Sequence, residues 1–148
     1  MAELAISSSA FGEGDQIPRR HTCDGENSSP RLSFAGIPGG ARSLALIVDD
    51  PDAPVGTFDH WVAWGIDPEA GGIDEGEAAP REGRNGFGVT GYSGPCPPPG
   101  HGPHRYFFRL YALDTELDLR PGADRGELER ELEGHMLETA ELVGRYER

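Results

Sequence analysis

The chain contains no lysine. All 13 of its basic residues are arginines, set against 26 acidic ones, so 148 residues carry a formal charge of -13. So little positive charge argues against nucleic-acid binding, which works by neutralising phosphates, and against docking on an anionic membrane. It reads first as a solvated acidic surface. It also fits a high-salt habitat, where ions screen the self-repulsion of such a surface. Long apolar runs are missing too. The longest, Leu44 to Val48, is far short of the roughly 20 residues that a membrane-spanning helix needs. The opening MAELAISSSAFGEGDQIP has neither a basic start nor a continuous apolar stretch, so no secretory signal and a cytoplasmic location are expected. Cysteine is scarce. Cys23 and Cys96 do not make a disulfide framework, and their spacing leaves open whether they pair.

Glycine and proline are abundant. Their 22 and 13 copies are spread along the chain, which argues for many turns rather than a disordered tail. Between them lie short strand-like runs: Ser43 to Asp49, His60 to Ile66 and, strongest, His104 to Leu113. Leu4 to Ser7, Arg31 to Phe34 and Leu142 to Tyr146 are weaker candidates. One helix is expected after Asp124, which forms a capping-box pattern with Glu127. Leu128 and Leu132 would share its inner face, and Gly134 would end it. Residues 67 to 103 read mostly as loop. The length fits a single domain, 1–148, and the pattern fits a mainly β protein, an antiparallel sandwich.

Three clusters of polar residues could carry function. In DDPDAP, Pro51 holds Asp50 extended at the end of the apolar strand, which makes a stiffly placed carboxylate or simply a turn. In FDHWVAW, strict alternation puts His60, Val62 and Trp64 on one face, with Trp61 and Ala63 on the other. His60 then reads as a site residue or a satisfied core histidine. In GPCPPPGHGPHRYFFRLYAL, His104 and Tyr106 share a face that Phe108 and Leu110 continue inward, with Arg105 and Arg109 opposite. That face is polar outside and apolar inside, as a shallow pocket requires. The proline loop before it suits a pre-organised wall.

Together, DPDAP, HWVAW and GPCPPPGHGPHRYFFRLYAL resemble the phosphatidylethanolamine-binding protein family, and more closely its bacterial and archaeal Raf-kinase-inhibitor-like branch. IPRRHTCDGENSSPRLSF, NGFGVTGY and GHMLETAELVGRYER extend the resemblance over roughly residues 4 to 148. It implies a β-sandwich with a few short peripheral helices and a small anion pocket at one end. The matching positions are Asp50, Asp52, His60, Gly94, Pro95, His104 and Tyr106. The ligand so implied is a phosphate or a phosphoethanolamine-like group, held without catalysis and without a cofactor or metal. Imidazole N–H and phenol O–H groups are matched to phosphate oxygens, and an aspartate bonded to an imidazole fixes its tautomer. His101 and Pro103 depart from the family pattern and make the entrance bulky.

Other classes stay open. Some relatives suggest inhibition of a protein target, a kinase or protease, through the loop surface. Relatives in this branch also suggest a homodimer, although the acidic composition reveals no apolar patch for one. Aspartate, two histidines and a tyrosine could support acid–base catalysis or hold a metal. GxSxG is absent, however, and Cys96 is the only nucleophile candidate near the group. His21 and His135 read as surface or structural residues, and Trp61 and Trp64 as core.

Overall fold

The computed structural model describes residues 3–148. Among them the strands are β1 (Ala5–Ser7), β2 (Leu32–Ala35), β3 (Ser43–Asp50), β4 (Phe58–Ile66), β5 (Gly72–Ile73), β6 (Arg81–Glu82), β7 (His104–Leu113) and β8 (Met136–Tyr146). Helix α1 spans Arg125–Leu132, and Arg19–His21 form a 3-10 turn. The strands make two antiparallel sheets, β1-β2-β5 and β6-β4-β3-β7-β8.

β3 explains the layering. Its sequence is apolar on both faces, and every position is buried. Leu44, Leu46 and Val48 point toward the small sheet, where they meet Ile6, Leu32, Phe34, Trp61, Tyr106 and Phe108. Ala45 and Ile47 point the other way, to Val62, Trp64 and the α1 residues Leu128 and Leu132. A strand covered on both sides needs a continuous apolar run rather than alternation. The run Leu44–Val48 is therefore the centre of a three-layer stack of small sheet, large sheet and helix.

The helix forms as its sequence predicts. Asp124 caps it, accepting from Glu127 N–H at 2.9 Å, and Glu127 reciprocates to Asp124 N–H at 3.5 Å. Gly134 follows the C-cap Glu133 with φ 79°, in the left-handed region. β7 also matches its expected limits. β8 does not. It begins at Met136, well before the expected Leu142, because the exposed run MLETAE has no strand pattern of its own. Pairing with β7, from His104↔Tyr146 to Leu113↔Met136, holds it in place. Within 67 to 103 only the two-residue strands β5 and β6 form.

The open question about the cysteines has an answer in the fold. Cys23 and Cys96 form a disulfide across 73 positions of chain. Their segments run together there: Cys23 N–H donates to Pro95 O at 3.1 Å, and Gly94 N–H to Asn27 Oδ1 at 2.7 Å. Gly94 must be glycine, since a Cβ there would stand 2.1 Å from the His21 carbonyl oxygen. Cys96 is thus no nucleophile. Its sulfur is already bonded.

Candidate functional site

In the large sheet β3 ends where β4 and β7 begin, because each pairs with β3 antiparallel: Asp50↔Phe58 on one side and Asp49↔Phe107 on the other. The hairpin from β3 to β4 and the start of β7, distant from it in the chain, therefore present polar residues at one end of the sandwich. A cavity of about 210 Å³ opens there, and Asp50, His60, His104 and Tyr106 all line it. Phe58 and Phe87 form one wall, and Cys96, Pro97 and Pro98 another.

Asp50 is the last residue of β3 and is 3% exposed. Its Oδ2 lies 2.6 Å from Nδ1 of His104, and its Oδ1 accepts from Asp52 N–H at 2.8 Å. An ionised carboxylate only accepts, so His104 carries a proton on Nδ1 and turns Nε2 outward. Nε2 in turn lies 2.6 Å from Nδ1 of His101.

His60 arrives by a β-bulge. Val48 pairs with Trp61 and Asp49 with Asp59, which leaves His60 as the extra residue in β4. The bulge overturns the alternation expected from sequence. His60 turns to the side of Trp61 and packs edge-on against Tyr106, with ring centroids 5.3 Å apart, while Val62 and Trp64 face α1. Nδ1 of His60 donates to the Ser93 carbonyl at 2.7 Å, so Nε2 is its free ring nitrogen. Burial is the main influence on His60 and pushes its pKa below the usual 6.5.

Tyr106 is fully buried, and among the described residues its hydroxyl is the one buried side-chain polar atom without a hydrogen-bond partner. Burial, and then the charge and hydrogen-bonding approach of the nearby Asp50 carboxylate, raise its pKa, so the hydroxyl stays a proton donor, although Asp50 lies outside the geometry of a formed hydrogen bond. A larger groove of about 550 Å³ near Arg31, Asp67 and Asp74 contains no such orphan.

Three predicted positions stand outside the lining. Asp52 is turned to the surface. Arg105 donates to it from Nε and Nη2, each at 2.9 Å, and these bonds lower its pKa to about 2. Gly94 and Pro95 face the segment around His21 and Cys23 rather than the cavity. Conversely, sequence reading missed Phe58 and Phe87, whose rings pack 4.7 Å apart beside His60, and did not foresee an apolar rim. Val55 is 89% exposed and Phe87 51%, and both line the mouth. No local signal marks Phe87. Only the turn fixed by Asn85, which accepts from Phe87 N–H at 2.9 Å, brings it to His60.

The same arrangement of strands exists in known proteins. The phosphatidylethanolamine-binding protein family model matches residues 7–147. A UPF0098 protein of Pyrococcus abyssi is 51% identical over 99% of this chain and 86% of its own length. One from Methanothermobacter thermautotrophicus is 51% identical over 98% and 99%. Among solved structures, a phosphatidylethanolamine-binding protein homologue from Chlamydia trachomatis superposes with a TM-score of 0.95 at 38% identity, covering 100% of this chain and 99% of that one. Escherichia coli YbcL, described as a member of the mammalian family, gives 0.92 at 31%, covering 99% of each. With a match from end to end in sequence and in fold, the chain belongs to the bacterial and archaeal members of the phosphatidylethanolamine-binding protein family.

Proposed function

We propose that this protein is a non-catalytic binding protein whose cavity holds a small phosphate-like anion. Family membership supports a binding or regulatory role. The observation that carries the finer reading is the orphan hydroxyl of Tyr106, buried in the cavity beside two imidazoles. A buried donor without a partner costs about 1–3 kcal/mol, and a ligand acceptor relieves that cost. His60 and His104 each have one nitrogen fixed by a protein acceptor, so protonation places an N–H on the other. Phosphate supplies the oxygens for all three donors and the charge that favours both imidazolium forms.

Calorimetric titration of inorganic phosphate and of phosphoethanolamine at pH 6 and matched ionic strength tests this. Wild type binds. His104→Ala abolishes binding, and Tyr106→Phe weakens it about ten-fold, as loss of a hydrogen bond to a charged group should. No heat with wild type overturns the reading.

The exposed Val55 and Phe87 favour a second reading, in which a protein target such as a kinase or protease, or a second copy of the chain, docks on the same mouth. A pull-down compared between wild type and Val55→Asp tests it. A cytoplasmic location is part of the proposal; no helix among the described residues is long and apolar enough to cross a membrane. The disulfide weighs against a reducing cytoplasm, except in hyperthermophile-like cells. Trapping thiols in intact cells decides between them.

A further inference from the structure

His101 is exposed, yet it is bound to the most deeply buried histidine of the site. Its Nδ1 is 2.6 Å from Nε2 of His104, which is 1% exposed, and the two rings meet edge to face at 4.8 Å. A hydrogen bond between two facing ring nitrogens uses one proton: one nitrogen donates and the other accepts. Asp50 already takes the Nδ1 proton of His104. If Nε2 of His104 accepts from His101, it shows the cavity no proton. If it donates, the proton points at His101. In both cases the nitrogen that an anion needs is engaged.

We propose that His101 is a gate, a positioning residue that competes with the anion for Nε2 of His104 and must swing away for the ligand to bind. The inference rests on the anion reading of the cavity. The loop is built for such a movement. Gly100 and Gly102 flank His101 at φ 77° and 89°, and nothing lies within 4 Å of where a Cβ would stand on either. The base of the turn is pinned, by His101 N–H to Pro98 O at 3.2 Å and Gly100 N–H to Arg148 O at 3.0 Å. Upstream, the Cys96 disulfide holds the wall residues. The side chain can therefore leave while the wall stays. In this role His101 sets the threshold for binding: a ligand must offer a better acceptor than a neutral imidazole, which favours a charged oxyanion over a neutral carbonyl or hydroxyl compound.

Titration of inorganic phosphate into wild type, His101→Ala and His101→Asn tests the gate. His101→Ala is expected to bind about five-fold more tightly than wild type, the equivalent of one neutral hydrogen bond that no longer has to be broken. His101→Asn, which keeps a short amide partner for His104, is expected to fall between. Equal or weaker binding by His101→Ala overturns the gate and would make His101 either a bystander or a further ligand donor. No binding by any of the three overturns the anion reading and the gate with it. A readout without ligand separates the two ideas. In nitrogen-15 imidazole spectra, His101→Ala shifts Nε2 of His104 and leaves its Nδ1 resonance bonded to Asp50. An unmoved Nε2 resonance shows that no gate existed.

Discussion

The hydroxyl of Tyr106 and the charged form of the His60 ring are each unfavourable in the folded protein alone, and both are what the proposed anion would engage. Removing an unpaired buried hydroxyl leaves stability unchanged or raises it slightly, by up to about 1 kcal/mol. Tyr106→Phe should therefore match or exceed wild type in urea unfolding while losing phosphate affinity; a clear loss of stability would mean that the hydroxyl has a structural partner. His60 has a pKa lowered by burial from 6.5. The unfolded chain takes up that proton first, so the folded state loses stability as pH falls below about 7, until the lowered pKa is passed. An anion that favours the charged ring offsets the loss. The dependence of Tm on pH between about 7 and 5 should be steeper in chloride than in sulfate at equal ionic strength, and the difference should shrink in His60→Gln. Identical slopes in both salts for wild type would contradict an anion near His60.

At the scale of elements, the end of β3 and the turn after it make two unlike carboxylate sites. Asp49 faces α1, wholly buried, and accepts from Arg109 Nε at 2.9 Å and from Arg125 Nη1 at 2.7 Å. Arg125 also reaches Asp59 at 2.9 Å, so one guanidinium ties α1 to both β3 and β4. Asp49→Ala leaves two partly buried cations short of a partner and should cost about 3 kcal/mol, with faster hydrogen exchange in α1. Asp52→Ala should cost less than about 1 kcal/mol, because its Arg105 partner is half exposed. Equal losses in denaturant melts would show that burial is not what separates them. The disulfide acts on a longer segment. Closing 73 positions of chain, it stabilises the fold by about 4 kcal/mol on chain-entropy grounds, and Cys96→Ser should lower the unfolding free energy by that order.

For the whole molecule, charge is the dominant fact. A net -13 with no lysine disfavours the compact state by self-repulsion, which salt screens. Thermal stability should rise strongly with KCl from low to molar concentrations. A flat profile would leave the acidic surface as ordinary solvation and remove the high-salt reading. The charge does not cover the molecule evenly: the mouth of the cavity keeps Val55 and Phe87 exposed, an apolar ring that the bulk composition concealed.

By itself the sequence determined what rests on local physics. The apolar run of β3, the alternation of β7 and the capping box of α1 are encoded within a few residues, and each formed where it was expected, to within one residue. The side-by-side placement of His104 and Tyr106 followed from the strand period alone. Tertiary structure decided everything that depends on partners distant in the chain. β8 extends to Met136 because β7 offers backbone groups to pair with. His60 faces the cavity because one extra residue opposite β3 turns it over, and a bulge has no signature in an apolar-aromatic run. Asp50 rather than Asp52 lines the cavity. Their sequence contexts are alike, but the first is on the sheet and the second lies past its end, where Arg105 claims it. His101 meets His104 because the glycine-flanked turn folds back onto it, a contact set by three-dimensional closure and not by spacing.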